Sequence, residues 1–407
     1  MRSFYKTAIP VLVIVAVLAV GGSALASSTL ISSFAKGPSV TASSHNPASA
    51  SPLLHTYWIM HKFMAQVNNG GLTPLQLQKA YGLNVFQNKG QGMTVAVVDA
   101  FGNPNVQADL NKYSATFGLP TTTVREAFPQ GQPATINQGW ALETNLDVQM
   151  VHALAPRAKI VVDVALSPTL ANLMGAVKDA YANQGADIVS MSFGGPEFNG
   201  EMGAQADGIF LTGHKRGVSF TASSGDKGTG AQYPAASPFV TAVGGTSLTT
   251  LNDGSRVSET AWKGSGGGLS QLEVRPAYQS GFNKHTKRGI PDVAMVADPN
   301  TGVVIFNSFG MDGQKGFFIV GGTSASAPLF AGVLAVTNQH RNANLKNTNT
   351  ALYNAAEANY AANFHDIVTG SNGTCGTLCQ AHVGYDFVTG LGSPASAHLV
   401  PSLAAAA

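Results

Sequence analysis

The sequence predicts an α/β protein: one large domain on a doubly wound parallel sheet with helices on both faces. Three observations carry that prediction. Strand-length apolar runs alternate with helix-length segments between residues 93 and 223, the order that sets parallel strands side by side under crossover helices. The runs are Val-rich and nearly unbroken, as in Met93-Thr-Val-Ala-Val-Val-Asp-Ala100, which is how strands buried on both faces read. Three strands end in small-residue turns, Ser192-Phe193-Gly194-Gly195, Ser223-Ser224-Gly225-Asp226 and Gly321-Gly322-Thr323-Ser324. In such sheets function gathers at that rim.

In chain order, residues 1–26 read as a secretory signal. Arg2 and Lys6 precede an apolar run over 8–20, and Ala24-Leu25-Ala26 offers a small-residue cleavage site. The run is too short to span a bilayer, so export without stable membrane association is expected. Residues 27–52 are rich in Ser, Ala and Pro and read as a linker. Residues 53–67 are expected to form a short helix docking on the main domain, so that 27–70 is a linker with a short docking segment or a reduced pro-segment. The main domain is expected over 71–400. Helices are expected over 106–117, 142–154, 169–183 and 203–216, with strands over 93–100, 158–165, 188–193 and 218–223. A further strand over 316–320 feeds a small-residue helix.

The chain has 407 residues, 44% hydrophobic and 11% charged, enough for an ample core. A net charge of +2 without basic runs excludes nucleic acid as a partner. So few charges suit an acidic milieu, because little net charge changes as carboxyls protonate. Cys375 and Cys379 lie close together, and in an exported chain a small-loop disulfide is expected.

Ser324 sits where the strand turns into the helix, beside free backbone N–H groups and the positive helix end. Such a serine reads either as a nucleophile whose own N–H binds an oxyanion or as a helix cap. Glu143 and Asp147, four apart, share one helix face beside the apolar positions Leu142, Leu146, Met150 and Leu154. A histidine base, with an ordinary pKa of ~6.5, is protonated in acid; a glutamate near ~4 is matched to it. Asp147 then shares a proton with Glu143 and orients it. Asp226, kept protonated, donates to the oxyanion beside the Ser324 N–H.

Together these motifs resemble the sedolisin (serine-carboxyl peptidase) family, kumamolisin-like and of subtilisin-like fold, from about Thr73-Pro74 to Pro394. Glu143-x-x-x-Asp147 with His152-Ala-Leu-Ala-Pro156 resembles its base helix, Ser223-Ser-Gly-Asp226 its oxyanion aspartate, and Gly322-Thr-Ser324-Ala-Ser-Ala-Pro328 its nucleophile. The resemblance implies a secreted, monomeric, acid-acting endopeptidase for protein or peptide substrates, with Ser324, Glu143, Asp147 and Asp226 catalytic. It implies that Ser192, Gly194, Ser265, Gly266 and Gly267 bracket the substrate. It also implies one structural Ca²⁺ held by the Asp366 and Asp386 carboxylates and the carbonyls of Ile367, His382 and Gly384, donors that suit a hard cation.

Alternatives of other kinds remain at this level. A tripeptidyl-peptidase of the same family would need a blocked nonprime cleft. A silent secreted binding protein would keep the fold without turnover. A histidine-based subtilisin would use Asp99, but no His-Gly-Thr-His helix follows it, so Asp99 and Asp187 read as structural strand-end residues.

Overall fold

The structure is a computed structural model that describes residues 52–64 and 70–406. The expected signal over 1–26 and nearly all of the expected linker over 27–52 therefore lie outside the described residues. Strands β1 (His55–Thr56) and β2 (Ile59–Met64) come first, then α1 (Pro74–Ala80), β3 (Thr94–Ala100) and α2 (Val106–Phe117). Next are β4 (Val124–Ala127), α3 (Gln138–Leu154), β5 (Lys159–Ala165), α4 (Leu170–Ala182), β6 (Ile188–Met191) and β7 (Phe193–Pro196). The middle holds α5 (Asp207–Lys215), β8 (Ser219–Ser223), β9 (Gln232–Tyr233), β10 (Thr241–Thr250) and β11 (Arg256–Ala261). A side pair, β12 (Gly268–Val274) and β13 (Lys287–Ile290), precedes β14 (Val293–Val296), β15 (Val303–Met311) and β16 (Gln314–Gly321). Helices α6 (Thr323–Arg341), α7 (Thr348–Asn363) and α8 (Ser396–Ala404) close the chain.

The central sheet runs β11-β10-β8-β6-β3-β5-β4, with β14 also pairing β10. Every pairing in it is parallel except β10 with β11. Val95, Val97, Val162 and Ile188 are fully buried, as strands covered on both faces require. The helix starts follow local chemistry. Asn137 accepts the Trp140 N–H at the head of α3, and Thr169 accepts the Asn172 N–H at the head of α4.

Helices α3 and α6 form the layer that matters for function. Both lie in the interior, α3 against α6, β15, α1, α2 and β3. Sequence patterning suggested one buried stripe on α3, yet every residue from Trp140 to Leu154 is buried. Two of its polar side chains have specific partners, Gln149 exchanging two hydrogen bonds with Phe306 and Asn145 donating to Asp109 and Asn307, whereas both buried carboxyl oxygens of Glu143 have none. At Gly332 of α6 an added Cβ would lie 2.9 Å from Leu154 Cβ, so the two axes approach too closely for any larger residue.

One expectation is corrected. Residues 53–67 do not form a docked helix in their described part, but the strands β1 and β2. β1 pairs antiparallel with β7, and β2 pairs antiparallel with β16. Those edges satisfy the segment's backbone groups, so it needs no turns of its own, and Thr56, Tyr57 and Ile59 suit a pleated surface.

Candidate active site

β16 delivers the chain to a turn at Gly322, which has φ 98° and ψ 159°. A Cβ there would lie 2.1 Å from the Tyr57 carbonyl oxygen and 2.5 Å from Asp226 Oδ2. Glycine is required on both counts. Ser324 is the second residue of α6 and is fully buried. Its N–H donates to the Tyr57 carbonyl at 2.9 Å. Its Oγ accepts the Tyr57 N–H at 3.0 Å and donates to the Ser192 carbonyl at 3.2 Å.

Glu143 and Asp147 lie fully buried on the α3 face that meets this turn. Burial pushes the Glu143 carboxyl well above the usual range; Asp147, Asp99 and Asp226 push it further, and the Ser324 hydroxyl opposes them. Burial also raises Asp147, with Asp99 adding to it; hydrogen bonds from Ser192 and Glu143 work against the rise. The Ser192 hydroxyl reaches Asp147 Oδ1 at 2.7 Å. Buried carboxyls coupled in this way hold protons in common rather than ionise together.

Asp99 joins this cluster. Sequence reasoning gave it a structural role, but it is fully buried beside the Glu143/Asp147 pair, and burial carries its carboxyl up to about 8. The available signal was its place at the C-terminal end of a central strand. Asp187 does act structurally, accepting from the Thr94 N–H and from Asn344. His152 sits in the last turn of α3 against the Ser114 hydroxyl at 3.0 Å, and burial lowers its pKa to about 4. It serves packing with α2 rather than Ser324.

Asp226 faces Ser324 from the β8 side. Its Oδ1 accepts the Thr323 N–H and hydroxyl, each at 2.8 Å, while buried Oδ2 has no hydrogen-bond partner. Burial raises its carboxyl to about 7 against the pull of those two bonds. Thr323, not singled out from sequence, orients it, and also accepts the Gly225 N–H at 3.1 Å.

The segment 52–64 crosses this cluster. His55 pairs with Gly194 and Thr56 with Phe193. Leu54 is buried, its N–H donating to the Pro168 carbonyl, and Leu170 N–H donates to the Pro52 carbonyl. The Tyr57 ring lies over Gly194, where a Cβ would stand 2.9 Å from its Cε2, and its hydroxyl donates to Gln232 Oε1. Ser192 and Gly194 thus border the segment. Ser265, Gly266 and Gly267 do not hydrogen-bond it among the described residues. Ser265 Oγ is engaged by the Gly245 N–H and the Val388 carbonyl, Gly266 donates to Gly225, and Gly267 accepts from Gly230. They brace the turn that carries Asp226.

At the other rim, the Gly384 N–H donates to both oxygens of Asp366, and the His382 N–H donates to Asp386 Oδ2. The two carboxylates therefore meet one loop, 382–386. Among the described residues no three His, Cys, Asp or Glu side chains gather around a point that could hold a metal. A cation here needs backbone carbonyls as well as the two aspartates; of that donor set the two carboxylates meet the 382–386 loop, through its N–H groups rather than its carbonyls. Cys375 and Cys379 form a disulfide in the neighbouring loop.

Residues 134–373 match the model of the subtilase family. The chain is 34% identical over 367 residues to kumamolisin of Bacillus sp. (strain MN-32), covering 81% of this chain and 63% of that protein. It is 31% identical over 339 residues to sedolisin of Pseudomonas sp. (strain 101), covering 74% and 56%. The chain thus spans less than two thirds of the length of these relatives. A solved structure of Pseudomonas sedolisin, complexed with two molecules of pseudo-iodotyrostatin, superposes with TM-score 0.74 at 26% identity, over 82% of this chain and 98% of that one. With Ser324, Glu143, Asp147 and Asp226 assembled around one turn of that shared fold, the chain belongs to the subtilase family, in its sedolisin and kumamolisin branch.

Proposed function

We propose that this protein is an exported, acid-acting serine-carboxyl endopeptidase. One observation carries the reading: the hydroxyl and N–H of Ser324 both engage the same peptide residue, Tyr57, between buried carboxyls on two sides. Ser324 Oγ attacks the scissile carbonyl as its proton passes to Glu143, which can accept it only in the singly ionised state of the Glu143/Asp147/Asp99 cluster. Burial opposes that ionisation, so Glu143 is less available as a base in acid than a glutamate near ~4 would be. Asp147, fixed by Ser192, shares a proton with Glu143 and keeps it oriented. Protonated Asp226 and the Ser324 N–H donate to the oxyanion, a preorganised pair in a water-poor site. The mechanism requires acid, because Asp226 loses its proton as pH rises through about 7.

Endopeptidase action is favoured over tripeptide release because the acyl side of the cleft runs past three residues. The chain continues there from Tyr57 back to Pro52, still bonded at Leu54 and Pro52. A calcium ion at Asp366, Asp386 and the Ile367, His382 and Gly384 carbonyls would clamp the C-terminal loops, supplying stability rather than chemistry. Export is supported by the 1–26 pattern and the disulfide, and a monomer remains the expectation.

The test is hydrolysis of a denatured protein from pH 3 to 7 by the wild type, Ser324→Ala and Glu143→Ala. Activity confined to acid and lost in both variants is expected. Cleavage that survives Ser324→Ala, or peaks near pH 8, rules the mechanism out. A correctly folded wild type with no turnover at any pH would favour a silent binding protein.

A further inference from the structure

The turn that carries Asp226 rests against a disulfide-closed loop that no catalytic step uses. Past Asp226, the chain is pinned from two directions. The Gly228 and Gly230 N–H groups donate to the Gly264 and Gly267 carbonyls, and the Thr229 N–H donates to the Asn372 carbonyl at 2.9 Å. Asn372 is 5% exposed and ties three segments together. Its Nδ2 donates to the Ser265 carbonyl at 2.9 Å, and its N–H donates to the Cys379 carbonyl at 3.0 Å. The disulfide meets the same turn directly, with Thr229 Oγ1 at 3.7 Å from Cys375 Sγ. The fit leaves no slack. A Cβ on Gly228 would strike the Asn372 carbonyl oxygen, and one on Gly373 would stand 2.9 Å from Cys379 Sγ and 3.1 Å from Thr229 Cγ2.

The loop itself has little else to hold it. Residues 373–377 are exposed, Leu378 is half-buried, and Asn372 and Cys379 are buried. One long backbone bond crosses its end, from the Gln380 N–H to the Thr377 carbonyl at 3.3 Å. Cys375 and Cys379, four positions apart, close the tip. With that bond open, a loop of glycines and threonines regains conformational freedom that its few contacts do not offset.

We propose that the Cys375–Cys379 disulfide, acting through Asn372 and Thr229, positions the turn that holds Asp226, so that full turnover is reached only once this bond has formed. The inference rests on the peptidase reading and adds a condition under which its site is complete. Thr323 fixes the Asp226 carboxyl, whereas the contacts at 228–230 fix the main chain that delivers it. An oxyanion donor acts only from the right place, and a small misplacement forfeits much of its effect. Thiols stay reduced inside most cells and pair outside them. A chain still inside the cell would therefore carry a loose oxyanion turn and gain its geometry on export.

Opening the bond is a two-electron reduction, and exposed Cys375 Sγ is the sulfur a reductant can reach. A phosphine lone pair adds to it, and the S–S bond breaks with its electron pair on Cys379 Sγ. Water then adds to phosphorus, and the P–S bond breaks with its pair on Cys375 Sγ. The two protons of the water end on the two sulfurs, giving a phosphine oxide and two thiols. A thiol reductant reaches the same state in two exchange steps and is itself oxidised to a disulfide.

The experiment uses the full oxidised chain, treated with tris(2-carboxyethyl)phosphine and then reoxidised, with kcat and KM for a fluorogenic peptide read at each stage at pH 4. On reduction kcat should fall roughly tenfold while KM stays within about twofold, and reoxidation should restore it. The Cys375→Ser, Cys379→Ser double variant should start at the lowered kcat and ignore the phosphine. Asn372→Ala should lower kcat by a similar factor while oxidised, and reduction should then add little. Amide hydrogen exchange over 224–230 should quicken on reduction, a readout that needs no turnover. A rise in KM at constant kcat, a double variant equal to the oxidised wild type, or unchanged exchange over 224–230 overturns the proposal. Turnover indifferent to the bond overturns it while leaving the peptidase reading standing. An oxidised wild type without turnover overturns the peptidase reading, and exchange over 224–230 then decides whether the disulfide positions the turn.

Discussion

Replacing Asp226 by asparagine tests the acid mechanism where it is most specific. Oδ1 of Asp226 accepts two hydrogen bonds from Thr323 at 2.8 Å, and buried Oδ2 has no partner, standing 2.5 Å from the position a Gly322 Cβ would occupy, as the Tyr57 carbonyl oxygen does at 2.1 Å. An asparagine can keep both acceptor contacts through its own Oδ1 and place an amide donor where the protonated carboxyl stood. With its carboxyl raised to about 7, Asp226 is roughly one part in a thousand ionised at pH 4 and about nine tenths ionised at pH 8. The wild-type kcat/KM should therefore fall about tenfold between pH 6 and 8 from this group alone. Asp226→Asn should lie within roughly tenfold of wild type at pH 4 but lose most of that alkaline fall. Asp226→Ala, which removes the donor, should lose about a hundred- to a thousandfold at every pH, about 3–4 kcal/mol. The assay is kcat/KM for a fluorogenic peptide, read from pH 3 to 8. An asparagine variant that keeps the wild-type alkaline limb, or an alanine variant within tenfold of wild type, refutes the role given to Asp226.

Two further outcomes follow from the same structure. Burial raises Asp99 and Asp163 to about 8 and Asp226 to about 7, whereas unfolded carboxyls ionise near ~4. The folded state holds these protons more tightly, so the stability they give is full below pH ~4 and is lost as pH rises through 7 to 8. The Tm of Ser324→Ala, uncut and at fixed calcium, should fall between pH 4 and 8; a maximum near neutrality contradicts this. Asp366→Ala should lower the Tm by several degrees and make it insensitive to chelator, and equal chelator effects on both proteins would remove calcium from this loop.

Much of the site was legible because its chemistry is local in sequence. The Glu143/Asp147 spacing fixes a shared helix face, and Gly321-Gly322-Thr323-Ser324 fixes a turn at a helix head. What was not legible depends on distant strands. Apolar and aromatic residues over 53–67 fit a docked helix or an extended segment equally; the exposed edges of β7 and β16 decide, and nothing within the segment encodes them. Asp99 looks the same locally whether it ends a strand idly or faces two other carboxyls, and only the packing of α3 on β3 separates the cases. Gln232 carries no motif at all and gains meaning from the ring above Gly194. Ser265, Gly266 and Gly267 also hydrogen-bond the strands and turn around Asp226, through Gly225, Gly230, Gly245 and Val388, partners that no local pattern names.

The two strands flanking Ser324 are unequally anchored. β1 is two residues long and β2 six, and β2 stays covalently joined to the domain. A two-residue strand is held by few ladder hydrogen bonds, so β1 should open before β2, and access to Ser324 should begin from the β1 side while β2 stays in place.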